Sequence, residues 1–351
     1  MDSTLAGREP AVAARRPPTI YDVARLAGVS HQTVSRYLKG ADRMGPDMRD
    51  RVRRALKMLD YKPNSAARAL ATNRSHRIGV LTHDVHQVGP SKVLQAAIAA
   101  ARSAGYLLDV VDLDPNDGTA IRDALALLTA QDCAGILALA ATDEMATAFV
   151  HIDLGLPVFI AAEPDDAVTS GTHPHAQGLS ALVAHLAELG HTHFMHVSGP
   201  ATYSSARNRG LAYDAAVSRL GLRSFGSVDG DWTAASGYSV GQHIPVEAGV
   251  TAVIAANDQM ALGVIRALVE RGFRVPDEVS VTGMDDIAES AYFLPPLTTL
   301  RLDFASEGED AFRQMLTCID GAERAPVHPR PAEMVVRAST GPVRATTAPA
   351  P

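Results

Sequence analysis

Between positions 19 and 61 apolar residues recur at intervals of three and four, in three short runs separated by glycine and polar residues. Ile20, Val23, Ala24 and Ala27 share one face of a first predicted helix, which Thr19 can cap and Gly28 can leave in the left-handed conformation. Ser30 can cap a second, with Val34 and Leu38 on its apolar side and His31, Gln32, Ser35 and Arg36 turned elsewhere. A third opens at Pro46, a favoured first helical position, and carries Val52, Ala55, Leu56 and Leu59 at packing intervals. Three such helices bury one small core.

From Ile78 the pattern changes to short continuous apolar runs that alternate with longer helical ones. "RIGVLT", "YLLDVVDL", "CAGILALA" and "LPVFIAA" read as strands, with "SKVLQAAIAAARSAG", "IRDALALLTA" and one further run as the helices between them. The order recurs after "DAVTSGTHPHAQG". There the helices are "SALVAHLAELG", "ARNRGLAYDAAVSRLG" and "MALGVIRALVERG", and the strands "HFMHVSG", "TAVIAAN" and "VSVTGMDD". Apolar strands without polar alternation suit parallel sheets covered on both faces. The expected body is an α/β pair of doubly wound parallel-sheet lobes, with a ligand cleft at the carboxyl ends of the strands.

At 351 residues and 46% hydrophobic, the chain can bury a large core. Its charge is informative once divided. Residues 1–77 hold 16 Lys and Arg against 7 Asp and Glu, a net of +9; the whole chain holds 32 against 39, so the remainder carries 16 against 32, a net of −16. A small basic part on a large acidic body fits phosphate attraction confined to the N-terminal segment, although a basic tail or a solvated basic helix would give the same sum.

Cys133 and Cys318 are too few for a disulfide scaffold or a thiolate metal site and sit among apolar neighbours, so two reduced thiols are expected. The start has no apolar signal core, and no segment reaches the roughly eighteen apolar residues of a membrane span, which points to a cytoplasmic protein with no membrane partner. The histidine groups at 173–175 and 191–196 lack a carboxylate or thiolate that would complete a metal set. No phosphate-gripping glycine loop or Ser-His-Asp spacing is present. No metal, cofactor or catalysis is expected.

On the residues alone, Gln32 can address an adenine edge and Arg36 can fork onto guanine, while Ser30 and Thr33 suit phosphates and His31 is ambiguous. "TIYDVARLAGVSHQTVSRYLKG" and "RVRRALKMLDYKPNSAARAL" together give a specific resemblance to the lactose repressor family of bacterial transcription regulators. The resemblance implies a helix-turn-helix headpiece with His31, Gln32 and Arg36 in base-reading positions. Thr19, Ser30, Thr33 and Lys39 are further DNA contacts, Lys39 standing where the family's namesake has an asparagine. A hinge helix would follow the Pro63-Asn64 corner. Ser65 to Leu70 has helix-forming composition but one large apolar side chain, so it should order only with a partner. In the family that partner is the minor groove, with Asn64 a contact, Ala67 allowing close approach and Leu70 wedged between base steps. A plain linker with Leu70 packed on the body is the alternative. The implied partners are a near-palindromic double-stranded operator and a second copy of the chain.

The likeness continues in order through "SARNRG", "GDWTAASGY", "ANDQMALG", "GMDD" and "PPLTT", and the body is similar to periplasmic sugar-binding proteins. His83, Arg209, Trp232, Asn257, Asp285 and Phe304 are the effector-binding residues it implies. Arg209 can give parallel hydrogen bonds to two oxygens, Asp285 can accept from hydroxyls, Asn257 can do both, and an indole face suits the C–H face of a sugar ring. Each also has a plainer reading: a surface ion pair for Arg209, a helix cap for Asn257, a turn for Asp285 and His83, inter-lobe core for Trp232. Ala161, Leu302 and His173 stand where the namesake has a cleft aspartate, a glutamine and an aromatic residue. The acidic body disfavours a phosphorylated effector.

The expected protein is a sequence-specific DNA-binding transcriptional regulator, a repressor, controlled by a neutral sugar or glycoside, with a galactoside as first choice. The alternatives are a purine or other small metabolite as effector, a sugar receptor without DNA binding, and an architectural DNA protein whose body only dimerises. The expected organisation is a tail at 1–18, the headpiece at 19–63, hinge helix and linker at 64–77, the effector-binding and dimerisation body at 78–338, and a second tail at 339–351. Within the body, lobe one would take about 78–173 and 304–331, and lobe two about 174–303 and 332–338.

Overall fold

The computed structural model describes residues 16, 18–38, 44–61, 75–139, 142–150, 154–163, 174–323 and 330–343. Lys39, Asn64, Ala67, Leu70 and His173 lie outside them, as does the expected hinge helix. Residues up to Arg74 and residues from Ser75 form two separate compact units.

The first unit is three helices, α1 (Ile20–Ala27), α2 (His31–Leu38) and α3 (Pro46–Met58). The Asp22 carboxylate accepts from the Thr19 amide at 2.9 Å and the Thr19 hydroxyl at 2.7 Å, and these bonds hold its pKa below the ordinary value. Gly28 leaves α1 at φ +64, a conformation that costs a side-chain-bearing residue more. The Ser30 hydroxyl accepts from the Thr33 amide at 3.2 Å and caps α2. Val23, Ala24, Ala27, Val34, Val52 and Ala55 form the buried centre of this unit.

The second unit opens with β1 (Arg77–Thr82), α4 (Val88–Ser103), β2 (Leu107–Asp112), α5 (Gly118–Ala130), β3 (Ile136–Ala138), α6 (Asp143–Val150) and β4 (Val158–Ile160). Their strands make a parallel sheet in the order β2-β1-β3-β4, with Val80 opposite Val110 and Leu137. A second lobe repeats the plan with α7 (Pro174–Glu188), β5 (His193–Ser198), α8 (Ser204–Arg219), β6 (Arg223–Asp229), α9 (Ala234–Gly241), β7 (Ala252–Ala255), α10 (Asp258–Glu270) and β8 (Ser280–Thr282). Its sheet runs β6-β5-β7-β8, again parallel. The fold is the doubly wound two-lobe body that the pattern predicts.

β6 and α9 escaped the pattern reading for physical reasons. β6 is an edge strand, mostly exposed, with few apolar residues. α9 contains Gly237 and Gly241 and packs against α10 at backbone distance: a Cβ on Gly237 would lie 2.1 Å from the Met260 carbonyl oxygen. Glycine weakens a helix signal in sequence and permits this close crossing in space.

β9 (Thr299–Arg301) leads into α11 (Phe304–Ile319), which packs on α4, β3 and β4 of the first lobe. The chain then returns, and β10 (Glu333–Val335) pairs antiparallel with β9. Among the described residues no helix is long and apolar enough to cross a membrane.

One boundary needs correction. The sequence reading starts a tail at 339, because "STGPVRATTAPAP" has no packing periodicity, yet the chain is held through Val343. Ser339 is fully buried, and its hydroxyl donates to the Val281 carbonyl at 2.6 Å and accepts from the Thr298 amide at 2.8 Å. The Gly341 carbonyl accepts from His191 at 3.0 Å, and the Val343 amide donates to Leu189 at 3.0 Å. Hydrogen bonds to backbone leave no hydrophobic signature. Ser339→Ala would leave the buried Thr298 amide without its acceptor and should cost about 1–3 kcal/mol, read as a lower midpoint in urea unfolding; an unchanged midpoint would remove this segment from the account of stability.

Candidate functional site

The outer face of α2 is the first surface with chemistry to offer. His31, Gln32 and Arg36 are exposed, while Val34 between them is buried and fixes the helix against its neighbours. Tyr21, 60% exposed, lies against His31 with ring centroids 5.0 Å apart and the rings tilted by 39°. Sequence reading did not single out Tyr21, although its place outside the apolar face of α1 was legible. Exposed Arg49, Arg51, Arg53 and Arg54 on α3 add positive charge to the unit.

The second site is the cleft between the lobes of the body, about 890 Å³ of empty space with its open mouth included. His83, Arg209, Trp232, Asn257, Asp285 and Phe304 all line it, so the body residues named from sequence converge on one place. Each is carried there by the end of a strand or the start of the helix that follows it.

Arg209, in the second turn of α8, is 7% exposed. Its guanidinium donates to the Ala256 carbonyl and lies 5.4 Å from the Trp232 ring centroid, while its Nε has no partner among the described residues. The surface ion pair is thereby excluded. Asp285 is buried, and burial pushes its carboxyl up to about 7 although Arg209 pulls it down; its Oδ1 is also without a partner among the described residues. Trp232 and Asp285 both have positive φ, +69 and +113, and such backbone strain persists where surrounding structure holds it.

Asn257 plays the structural role open to it. Its Oδ1 accepts from the Met260 amide at 2.8 Å, capping α10, and its Nδ2 donates to the Trp232 carbonyl at 2.8 Å. It therefore fixes Trp232 from behind. His83 lies 3.4 Å from the Tyr203 hydroxyl and 3.3 Å from Asp84, and burial lowers its pKa. Tyr203, T-shaped against Trp232 at 6.0 Å, was absent from the sequence reading. Leu302 does not face the cleft; it is buried in the core of the second lobe.

Four further residues were missed as parts of the site. His175, at the start of α7, sits between two carboxylates, with Nδ1 2.5 Å from Glu163 Oε1 and Nε2 3.1 Å from Glu307 Oε1. Asn208 donates to the other Glu163 oxygen at 3.2 Å. Glu163 follows β4 and Glu307 is on α11, both on the first lobe, whereas His175 and Asn208 belong to the second. Burial works to lower the His175 pKa, but the bonds to both glutamates outweigh it and raise it to about 9. Two signals were available: Glu163 directly follows an apolar strand, and Glu307 lies one helical turn beyond Phe304. The other histidine group is explained by packing, since His191 bonds Thr251 and Gly341, and His196 bonds Ser227 and stacks on Tyr213. Among the described residues no group of three or more ligating side chains could hold a metal.

Comparison with known proteins matches residues 19–64 to the model described as "Bacterial regulatory proteins, lacI family" and residues 183–340 to "Periplasmic binding protein-like domain". The chain is 34% identical over 309 residues to the lactose operon repressor of Escherichia coli (strain K12), covering 87% of this chain and 86% of that one. It is 29% identical over 332 residues to the HTH-type transcriptional repressor PurR of Mannheimia succiniciproducens, covering 92% and 98%. Among solved structures, that of the lac repressor dimer bound to operator and the anti-inducer ONPF superimposes with a TM-score of 0.81 at 31% identity, over 93% of this chain and 100% of that one.

The inter-lobe histidine generates a pH prediction. Its pKa in the folded chain lies above the ordinary 6.5, so its stabilisation is complete below pH 6.5 and is lost as pH rises through about 9. The loss should be on the order of 3 kcal/mol. Urea unfolding between pH 6 and pH 10 should show that decline, and His175→Gln should flatten it; an identical slope in the variant would assign the decline to other groups.

Proposed function

The chain belongs to the lacI family of bacterial regulatory proteins, and from that premise we propose that it is a homodimeric transcriptional repressor whose grip on operator DNA is set by a neutral sugar or glycoside in the inter-lobe cleft. A family member of this kind is a non-catalytic DNA-binding regulator controlled by a small molecule. The observation that carries the effector reading is the pair of buried polar atoms, Arg209 Nε and Asp285 Oδ1, left without partners among the described residues in a cleft that also offers the Trp232 ring. A fork donor and an acceptor beside an aromatic face match adjacent hydroxyls and the C–H face of a sugar.

In the headpiece, Arg36 and Gln32 are proposed to read base edges, with His31 beside them and Thr19, Ser30, Thr33 and Lys39 on phosphates. Asn64, Ala67 and Leu70 are proposed to engage the minor groove. Two headpieces are needed because one short helix reads too few bases, which matches a near-palindromic site to a two-fold dimer. Tyr292 and Leu294, 87% and 90% exposed on the second lobe, are apolar surface that a second copy would cover. A galactoside is the first choice among sugars because of the likeness to the lactose operon repressor. The likeness to the repressor PurR makes a purine the second reading, favoured by the aromatic residues Tyr203, Trp232 and Phe304 around the cleft.

The test is calorimetric titration of the full chain with galactosides, other mono- and disaccharides, purines and amino acids, followed by gel shifts on selected and random duplexes. Sugar binding that changes operator affinity is the expected result, and tight purine binding without a sugar response would overturn the sugar assignment. Arg36→Ala should lose about 1–3 kcal/mol of preference for the selected duplex. Arg209→Ala should weaken effector binding roughly tenfold or more and leave effector-free DNA binding in place; retained effector affinity would remove Arg209 from the site.

A further inference from the structure

Resting on that reading of the cleft, we propose that Glu163, His175 and Glu307 form an acceptor wall that selects effectors by charge, reading hydroxyl or ammonium donors and rejecting anionic groups such as a phosphate monoester.

The geometry sets the charge of this wall. Both ring nitrogens of His175 face carboxylate oxygens, at 2.5 Å and 3.1 Å, so each must carry a proton to donate. One imidazolium between two carboxylates leaves the wall with a net negative charge. Asn208 donates to the second Glu163 oxygen at 3.2 Å, which fixes the plane of that carboxylate. Glu307 is more open, its side chain 38% exposed against 15% for Glu163, and presents accepting lone pairs at the cleft.

Arg209 does not reverse the sign. It lies over the Trp232 ring and pulls on the buried Asp285 carboxyl, so its charge already has local partners. Asp285 and Arg209 line the same cleft as Glu163, His175 and Glu307, so one ligand can meet both groups. An anion set against this wall would meet two carboxylates and one imidazolium in a poorly solvated cleft. Hydroxyls and ammonium groups would find acceptors on both sides. Since the glutamates stand on one lobe and His175 on the other, the wall is complete only when the lobes are together, so selection by charge accompanies closure.

The experiment uses the full chain at pH 7 and two probes, methyl β-galactoside and methyl β-glucoside, each as the parent, a phosphate monoester and an amino-deoxy derivative. For the wild type, whichever parent binds should be followed by an amino derivative of equal or higher affinity, and the phosphate ester should be at least roughly a hundredfold weaker. Glu307→Gln and Glu163→Gln should each weaken the parent roughly tenfold and narrow the gap to the phosphate ester by a similar factor. Thermal melting accompanies each variant. If Glu163→Gln melts early, the more exposed Glu307→Gln decides.

A merely structural lock would lower melting without changing charge selectivity. Parent binding with an unchanged phosphate gap in a folded Glu307→Gln, or a phosphate ester bound as well as the parent by the wild type, would overturn the wall and leave the sugar reading intact. Failure of every glycoside to bind the wild type would overturn the sugar reading, and the wall with it.

Discussion

Parallel strands impose the constraint from which the cleft follows. A parallel pair cannot be closed by a tight turn, so each strand is followed by a crossover helix, and every carboxyl end emerges on the same side of its sheet. In this body two such sheets bring β1 and β4 on one lobe, and β5, β6, β7 and β8 on the other, to a common space. The positions of His83, Glu163, Arg209, Trp232, Asn257 and Asp285 are consequences of that edge. Side chains on it start out oriented by backbone that the sheets have already fixed.

Much of the rigidity of the second lobe's side of the cleft comes from hydrogen bonds within the protein. Asn257 engages both the α10 terminus and the Trp232 carbonyl, so the tryptophan is held in a conformation at positive φ by a cap that also stabilises the helix. Behind Asp285, the buried Asp258 carboxylate accepts from Ile287, Ser290 and Thr299 and ties the start of α10 to the next loop and to β9. Burial raises the Asp258 pKa to about 6 against those bonds. Asp286 pairs with Arg301 and Arg337, fixing the same loop from the outside. Strain and buried charge are concentrated beside the cleft, where the neighbouring network can hold them.

The lobes meet through apolar packing, with Phe304 and Val93 set against the apolar cluster of the second lobe, and through directional polar contacts. Thr142 bridges to Tyr203, Asp143 pairs with Arg207, and His175 joins Glu163 and Glu307. Such contacts are directional and have a defined broken state, in which water replaces them.

The sequence by itself determined the three-helix unit, its caps, the exposed polar face of α2 and the α/β alternation of the body, because all of these depend on neighbours within a few positions. Thr19, Gly28, Ser30 and Pro46 act on their own helices, and strand cores announce themselves as apolar runs. Strand ends in the pattern also carry His83, Arg209, Asn257 and Asp285, whereas Trp232 and Phe304 were reached through the family resemblance. Tertiary structure decided the rest. β6 lacks an apolar run because it is an edge, α9 is hidden by the glycines that let it touch α10, and Ser339 to Val343 is held by backbone hydrogen bonds with no periodicity. The Glu163–His175–Glu307 wall joins residues 12 and 132 positions apart in the chain. Whether a histidine is a core filler, a metal ligand or a cation between two carboxylates depends on which distant groups the fold brings to it, and no local pattern carries that information.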